Sequence, residues 1–254
     1  MNIPEHIRYL AIEGTIGVGK TSLSKMLVDY WNEQLGDSCG VSFLEEKFDN
    51  NPFLEKFYVR PDEYAFQTQL FFLISRLKEL QNNATQNDMF RRLLVSDYTF
   101  DKDRIFAAQN LTDDEFSMYD TVSRALSSNL PTPDFIIYLQ AGVDTLLKRI
   151  RHRNREMERN IQGDYLWNLQ QRFDHHFWHY SNCPVMIINT DRIDFVHCPE
   201  HFQELVAMIE KWPIGTTYYA PEGKYRFGGT GDYVFWTVIS DYPYTACNKC
   251  IRID

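Results

Sequence analysis

The segment Gly14 to Thr21 reads GTIGVGKT and lies between an apolar run at 7–12 and a stretch of helical periodicity that begins at Lys20. It matches the phosphate-binding loop pattern G-x-x-x-x-G-K-[ST]. Glycines in such a loop let the backbone fold around a phosphate with its N–H groups pointing inward, and the following helix directs its positive N-terminal end at the same anion. The segment therefore predicts a nucleoside triphosphate site between a strand and a helix.

Residues of this loop have separate expected tasks. Lys20 would reach the outer phosphates, and the hydroxyl of Thr21 would bind Mg²⁺. The loop residues expected to contact ATP are Gly14, Thr15, Ile16, Gly17, Val18, Gly19, Lys20 and Thr21. The loop alone does not identify the group that receives the phosphate.

Short apolar runs alternate with longer helical patterns, which is typical of a parallel sheet with crossover helices. The predicted strands are 8–12, 41–45, 93–97, 135–140 and 185–189, and the predicted helices are 20–35, 61–82, 113–129, 143–152, 164–180 and 200–212. Beyond residue 212 the composition shifts toward Gly and Tyr, and 233–239 favours strand. We therefore expect an α/β fold with a five-stranded parallel sheet in residues 1–212 and a β-rich C-terminal extension in residues 213–254.

Composition narrows the classes of partner and location. The formal net charge of −9 argues against nucleic-acid binding, because affinity for the phosphate backbone comes from Lys and Arg. The chain has no apolar run of roughly 18 residues or more, and its N-terminus has no signal-peptide pattern. Five scattered cysteines suit reduced thiols. We expect a cytoplasmic protein with no membrane partner.

Three charged clusters bear on the phosphate acceptor. Glu45 and Glu46 end the second predicted strand, where a carboxylate could accept the proton of an attacking hydroxyl. Asp97 ends the third predicted strand, within reach of a metal beside Thr21. The segment 148–156, KRIRHRNRE, concentrates basic residues in an acidic protein, and its arginines could close over a transferring phosphoryl group.

With these clusters in this order, the sequence resembles the deoxynucleoside kinase family, and within it the bacterial deoxyguanosine and deoxyadenosine kinases. The resemblance spans residues 8–212 and rests on AIEGTIGVGKT, EEKFDNNPFLEKFY, YAFQTQLFFLISR, SDYTFDKDRIFA, PDFIIYLQA and RIRHRNREMERNIQGDYL. It implies a P-loop kinase fold, a parallel sheet flanked by helices. It also implies ATP as the phosphate donor, Mg²⁺ as the cofactor and a homodimer.

The resemblance further implies which residues bind the nucleoside. These are Glu46, Tyr58, Gln69, Phe72, Arg76, Asp97, Phe106 and Glu158. Glu46 would activate the 5′-hydroxyl, but Lys47 stands where the family usually has proline, so Glu45 stays open as the alternative base. Gln69 and Arg76 would read the base edge, and their separation of seven residues places them on one helix face.

Tyr58 and Glu158 would hold the 3′-hydroxyl, while Phe72 and Phe106 would pack around the base. The residues implied for ATP beyond the loop are Arg149, Arg153, Arg155, Asp191 and Phe195. The residues implied in catalysis are Glu46, Arg153 and Lys20, and those implied for the metal are Thr21 and Asp97.

The segment SDYT departs from the Glu-Arg-Ser or Asp-Arg-Ser of many relatives. Tyr98 replaces an arginine that contacts phosphate elsewhere in the family, whereas Asp97 keeps the carboxylate on the metal side. The Asp-Tyr form resembles the deoxyguanosine kinase branch. We therefore expect phosphorylation of a purine deoxynucleoside in nucleotide salvage, with deoxyguanosine first and deoxyadenosine second.

Two alternatives remain open. A nucleoside monophosphate kinase shares the loop and the arginine lid, but it needs further cations for the acceptor phosphate. A non-catalytic nucleotide-binding subunit would present the extension to a partner. The lone C-x-x-C pair, Cys247 and Cys250, does not reveal what the extension does.

Overall fold

The computed structural model describes residues 3–36, 40–85, 91–127, 130–220 and 236–237. Its α-helices are α1 (Lys20–Leu35), α2 (Leu54–Val59), α3 (Pro61–Thr85), α4 (Asp101–Asn110), α5 (Asp113–Leu126), α6 (Val143–Arg153), α7 (Gly163–Trp178) and α8 (Pro199–Ile209). Its strands are β1 (Tyr9–Gly14), β2 (Gly40–Leu44), β3 (Arg91–Ser96), β4 (Phe135–Gln140), β5 (Val185–Asn189), β6 (Thr216–Tyr219) and β7 (Trp236–Thr237). Two 3₁₀ helices, Phe48–Asn50 and Glu156–Glu158, lie in the connections.

The described strands form one sheet in the order β2-β3-β1-β4-β5-β6-β7, and β7 alone among them pairs antiparallel. Six of them run parallel, so the prediction of a five-stranded parallel sheet was wrong by one strand. The additional strand, β6, pairs with β5 from Thr216 opposite Val185 to Tyr219 opposite Ile188. Its sequence TTYY is β-branched and aromatic, as strands favour. It follows Pro213 in a segment of different composition, which is why the pattern groups it with the extension.

Most of the predicted extension lies outside the described residues, including Cys247 and Cys250. Of the strand predicted at 233–239, the structure describes two residues, which form β7. The domain boundary at 212 stays a prediction, although β6 lies beyond it and hydrogen-bonds to β5.

Both faces of the sheet are covered by apolar side chains from the helices. Leu10 and Ile12 of β1 pack in a cluster with residues of α1 and α8, while Tyr9 and Ala11 pack in a second cluster with residues of α7. Strands β1 and β4 are buried along their whole length, as central parallel strands are. None of the helices in the described ranges is long and apolar enough to cross a membrane.

The sequence analysis missed two helices, α2 and α4. Helix α2 has only six residues, and α4 begins with the charged run DKDR, which is typical of a solvated loop. Both helices line the site described below, because α2 carries Tyr58 and α4 carries Phe106.

The sheet places the acidic and phosphate-binding segments at one edge. Strand β1 lies between β3 and β4, so the strand order reverses there, and ligands of open α/β sheets bind beyond the carboxyl ends at such a point. Ser96 at the end of β3 is level with Leu44 of β2 and Ala11 of β1. The phosphate loop, Glu46 and Asp97 therefore follow neighbouring strands at the same edge.

Candidate active site

One cleft at this edge brings most of the predicted site together. The predicted residues that line it are Ile16, Gly17, Lys20, Thr21, Glu45, Glu46, Tyr58, Gln69, Phe72, Arg76, Asp97, Phe106, Arg153, Arg155 and Glu158. The lining residues that were not predicted are Phe48, Leu54, Phe57, Thr68, Lys102, Asn110 and Tyr165. The phosphate loop, both acidic strand ends and the basic segment thus face a common space.

The ammonium group of Lys20 lies inside the phosphate loop. Its Nζ donates to the carbonyl oxygens of Gly14 at 2.8 Å and Thr15 at 3.0 Å. Burial and the neighbouring charge of Lys102 lower the pKa of Lys20 to about 8. A phosphate in the loop would offer this ammonium charged acceptors, which form stronger hydrogen bonds than the two carbonyls.

The phosphate loop packs against the loop that follows β5. Gly19 has a left-handed φ of 108°, and a Cβ atom there would lie 2.9 Å from the ring of Phe195. Arg149 joins the same two loops, because it donates to the carbonyl oxygens of Val18 at 3.0 Å and Thr190 at 2.8 Å. Glycine at position 19 is therefore required by both backbone conformation and space.

Some residues predicted to bind ATP do not line the cleft. They are Gly14, Thr15, Val18, Gly19, Arg149, Asp191 and Phe195. Asp191 accepts a hydrogen bond from the backbone N–H of Gly142 at 2.7 Å, and Arg149 is occupied by backbone carbonyls. These side chains support the loops in this structure, and their contact with ATP stays a prediction.

The predicted metal ligands are adjacent. Thr21 Oγ1 donates to Asp97 Oδ2 at 2.5 Å, and Asp97 Oδ1 accepts from the backbone N–H of Glu46 at 2.8 Å. Two oxygen donors beside the phosphate loop fit Mg²⁺, which is commonly bound by one or two protein groups together with substrate phosphates and water. Within the described ranges, no group of three or more His, Cys, Asp or Glu side chains could hold a metal by itself.

Glu46 is bound by two cations at the centre of the cleft. Its Oε1 accepts from Arg76, with Nε at 3.0 Å and Nη2 also in contact, and its Oε2 accepts from Lys102 Nζ at 2.5 Å. Burial disfavours the charge on Glu46, but Lys102 and Arg76 outweigh this effect and hold its pKa well below the usual range. The carboxylate is therefore ionised at neutral pH, although the same two cations weaken it as a proton acceptor.

Glu45, the alternative base, has a different environment. Its carboxylate pairs with Lys25 at 2.8 Å, and about half of each side chain is exposed, 48% for Glu45 and 51% for Lys25. Both glutamates follow β2 and line the cleft, but Glu46 is paired with two buried cations, whereas Glu45 is half exposed and paired with Lys25.

Arg76, predicted to read the base edge, lies between two carboxylates. Besides Glu46 it contacts Asp103, whose Oδ2 is buried without a hydrogen-bond partner. Burial raises the pKa of Asp103 to about 7, although the charge of Arg76 opposes this shift. The guanidinium also lies 4.8 Å from the centre of the Phe72 ring.

The amide of Gln69 is available to a ligand. The residue is 3% exposed and lines the cleft, and its side chain forms no hydrogen bond within the described part of the chain. A bound base would cover this amide, so a base that completed its hydrogen bonds would be favoured over one that left them unmade.

The basic segment closes the other side of the cleft. Glu158 is buried and contacts both Arg153 and Arg155, the latter at 3.4 Å. Arg155 also lies 3.9 Å from the centre of the Phe48 ring. Burial, followed by the neighbouring Tyr165 and Glu158, raises the pKa of Tyr58 above its usual range, so its hydroxyl stays protonated and can donate to a ligand.

Sequence reasoning missed several buried charged residues, and two of them, Glu13 and Lys102, adjoin Gly14 and Glu46. Glu13, at the end of β1, is fully buried, and its Oε1 accepts from Thr99 N at 2.5 Å and Thr99 Oγ1 at 2.9 Å. Burial raises the pKa of Glu13. The signal for it was a charged residue inside an otherwise apolar strand. Lys102 gave no such signal, since it stands in a run of charges.

Comparisons with known proteins place this geometry in a family. Over 207 residues the chain is 31% identical to deoxyguanosine kinase of Bacillus subtilis, covering 80% of this chain and 96% of that protein. It is 32% identical over 203 residues to deoxyadenosine kinase of Dictyostelium discoideum, covering 78% and 77%. With deoxyadenosine/deoxycytidine kinase of Bacillus subtilis the identity is 28% over 208 residues, covering 79% and 90%.

The fold is similar to that of deoxyadenosine kinase from M. mycoides, solved with bound dATP. The TM-score is 0.66 at 22% identity, and the alignment covers 79% of this chain and 98% of that one. A sequence model described as "Deoxynucleoside kinase" matches residues 10–212. Because this match covers most of the chain, the protein belongs to the deoxynucleoside kinase family and is a phosphotransferase.

Proposed function

We propose that this enzyme transfers the γ-phosphoryl group of ATP to the 5′-hydroxyl of a purine deoxynucleoside, with deoxyguanosine as the preferred acceptor and deoxyadenosine as the second. The observation that carries the proposal is the position of Glu46. Its carboxylate faces the same cleft as Lys20 and the Thr21–Asp97 pair. A nucleoside hydroxyl and a terminal phosphate can therefore meet between them.

The proposed reaction is a single displacement at the γ-phosphorus. The 5′-oxygen forms a bond to the γ-phosphorus while the bond between that phosphorus and the β,γ-bridging oxygen breaks, and its electron pair leaves with ADP. Glu46 accepts the hydroxyl proton and later releases it to water. Lys20 and the loop N–H groups hold the phosphates, and Arg153 and Arg155 lie across the cleft, where they can contact the transferring group.

The metal site fits the same scheme. Thr21 and Asp97 would hold Mg²⁺, which would supply charge neutralisation to the phosphate oxygens. Asp97 also accepts from the backbone N–H of Glu46 at 2.8 Å. Asp97 would therefore connect the proposed Mg²⁺ site to the proposed base.

The acceptor side of the cleft suits an uncharged nucleoside. Its polar groups include the carboxylates of Glu46 and Glu158, each already paired with two cations, and the phosphate of a nucleoside monophosphate would have to compete with these carboxylates for the same cations. Tyr58 and Glu158 would bind the 3′-hydroxyl. This charge arrangement disfavours the alternative of a nucleoside monophosphate kinase.

We place guanine first because Arg76, which is expected to contact the nucleobase, offers N–H donors. An arginine carries N–H donors and no acceptor, so it matches the O6 and N7 acceptors of guanine, whereas adenine presents an amino donor at N6. Three of the five N–H groups of Arg76 bind Glu46 and Asp103, which leaves two for a base. The relative named deoxyguanosine kinase from Bacillus subtilis supports the same choice. A homodimer, a cytoplasmic location and a role in nucleotide salvage stay predictions.

The test is a competition among the four deoxynucleosides with ATP and Mg²⁺, with identification of each 5′-monophosphate as it accumulates. We expect dGMP first and dAMP second. Earlier accumulation of dCMP or dTMP would overturn the purine assignment. A parallel reaction offers dGMP as the acceptor, and preference for dGMP over deoxyguanosine would replace the proposal with a monophosphate kinase.

A further inference from the structure

We propose that Lys102 is a catalytic residue, which holds Glu46 and donates a hydrogen bond to the phosphoryl group during its transfer. Lys102 lines the cleft together with Lys20, Thr21 and Glu46, and 6% of its side chain is exposed. The inference rests on the proposed function, since it takes Glu46 as the base for the acceptor hydroxyl.

Burial of this lysine calls for an explanation. Lysine is almost never fully buried unless it is paired, because desolvation of an ammonium is costly. Its Nζ donates to Glu46 at 2.5 Å, and this is its one hydrogen bond within the described part of the chain. An ammonium has three N–H donors, so two stay available, and the residue lines the cleft where the transferred group would pass.

Helix stability does not explain the position of Lys102. The residue lies in the first turn of α4, where the helix dipole is positive and a cation is unfavourable. Asp101 and Asp103 of the same turn are the kind of charge that stabilises this end. Lys102 is therefore held at a helix end that disfavours it, which is the pattern of a residue retained for function.

The segment before α4 is fixed against the phosphate loop. Glu13, beside Gly14, accepts two hydrogen bonds from Thr99, and Ser96 Oγ donates to the carbonyl oxygen of Tyr98 at 2.6 Å. The Tyr98 hydroxyl donates to Glu79 at 3.0 Å, and Tyr98 does not line the cleft. Residues 96–99 therefore bring no cation to the cleft. Lys102, in the first turn of α4, is the next cation along the chain, and it lines the cleft.

The ammonium charge of Lys102 would have different partners before and during phosphoryl transfer. Before transfer, Lys102 neutralises Glu46. When Glu46 takes the hydroxyl proton, it loses its charge, and the ammonium becomes free to interact with the negative oxygens of the phosphoryl group. Lys102 keeps its own proton throughout. An interaction that strengthens in the transition state raises kcat, with little change in KM.

The test compares two neutral variants, Lys102→Gln and Lys102→Met, with Lys102→Arg. For both neutral variants we expect kcat to fall by about 10²-fold to 10³-fold, while the KM for the deoxynucleoside changes by less than about 3-fold. Lys102→Arg keeps the charge and is expected to recover to within about 10-fold of the unchanged enzyme. The matched control is Lys25→Met, because Lys25 pairs with the neighbouring Glu45 at the surface, and its kcat should stay unchanged.

A binding measurement separates catalysis from folding. ADP with aluminium fluoride and the deoxynucleoside imitates the transferring phosphoryl group, so the neutral variants should bind this mixture more weakly than the unchanged enzyme, while their binding of ADP alone is preserved. Equal losses in the binding of all ligands, or a folded neutral variant with kcat within about 3-fold of the unchanged enzyme, would overturn the role. If one neutral variant does not fold, the other decides.

Failure of the proposed function gives a different result. The acceptor of the unchanged enzyme is identified first, and Lys102 variants are measured with that acceptor. Preference for dGMP would refute the proposed function, and full activity of Glu46→Gln would remove Glu46 as the base on which the role of Lys102 rests. A normal kcat of the neutral variants with an active nucleoside would refute the role of Lys102 alone.

Discussion

The hydroxyl of Thr21 at the end of the phosphate loop donates a hydrogen bond to Asp97 Oδ2, 76 positions later in the chain. The bond joins the segments after β1 and β3. It places two oxygen donors where a phosphate-bound cation would lie, and Asp97 reaches on to the backbone of Glu46. A change at Asp97 should therefore affect metal use before it affects the binding of the nucleoside.

Asp97→Asn is expected to lower kcat/KM for ATP by about 10-fold to 100-fold and to raise the Mg²⁺ concentration needed for half-maximal rate, because the amide is a weaker ligand than the carboxylate. A titration of Mg²⁺ at fixed ATP measures this. Asp120→Asn is the control, since Asp120 pairs with Arg104 and Arg124 outside the cleft. An unchanged Mg²⁺ requirement in Asp97→Asn would remove this residue from the metal site.

Glu46→Gln should reduce kcat by about 10²-fold to 10⁴-fold, because the amide cannot take the hydroxyl proton. Glu45→Gln should lose far less, since its carboxylate pairs with Lys25 near the surface. Single-turnover phosphorylation of the deoxynucleoside measures both variants, with circular dichroism as a check of folding. A larger loss in Glu45→Gln would transfer the role of base to Glu45.

Gly19→Ala should lower the free energy of unfolding by about 1 to 3 kcal/mol and weaken ATP binding, because the new methyl group meets the ring of Phe195 at a left-handed φ. Gly36→Ala is the matched control: its φ of 63° is also left-handed, but no atom lies within 4 Å of the added Cβ. It should cost about 1 kcal/mol from backbone strain alone. Denaturant unfolding of both variants tests the difference, and equal costs would mean that Phe195 does not restrict this position.

The buried carboxyl of Asp103 predicts a dependence of stability on pH. In an unfolded chain it ionises near a pKa of about 3.9, whereas burial raises the pKa in the folded protein to about 7. The folded state binds more protons between these values, so the contribution of this group to stability decreases as pH rises through that window and is constant above it.

Asp103→Asn removes this titration, although it also removes a partner of Arg76. The unfolding free energy of the variant relative to the unchanged protein should therefore rise between pH 4 and 7, by at most about 4 kcal/mol. Urea unfolding at a series of pH values measures the difference. A difference that stays constant over this window would show that Asp103 is ionised in the folded protein.

Local patterns in the sequence predicted the frame of the fold. Strand β4 is an unbroken apolar run after two prolines, and α1 begins directly after a glycine-rich loop, so both have the predicted bounds. Strand β6 was missed because four residues beyond a proline carry too little pattern to be assigned to the sheet. Its pairing depends on β5, which is distant in sequence.

The candidate site was predicted where a motif fixed it, and missed where tertiary contact fixed it. The loop residues and Asp97 follow from spacing and strand ends. Lys102 and Asp103 open a charged helix that reads as solvent-facing, and only the packing of α4 against α3 brings Lys102 and Asp103 to Glu46 and Arg76. The choice between the adjacent glutamates likewise depends on tertiary contacts, because Glu46 pairs with Arg76 and Lys102, whereas Glu45 pairs with Lys25.

The pairing of β6 with β5 has a consequence for any shortened version of this enzyme. Removal of the chain after residue 212 would leave the backbone N–H and C=O groups along one side of β5 without partners. An apolar strand with a bare side readily pairs with a strand of another molecule. Expression of residues 1–212 alone should thus yield aggregates, and retention of the eight residues that follow should restore a protein that stays in solution.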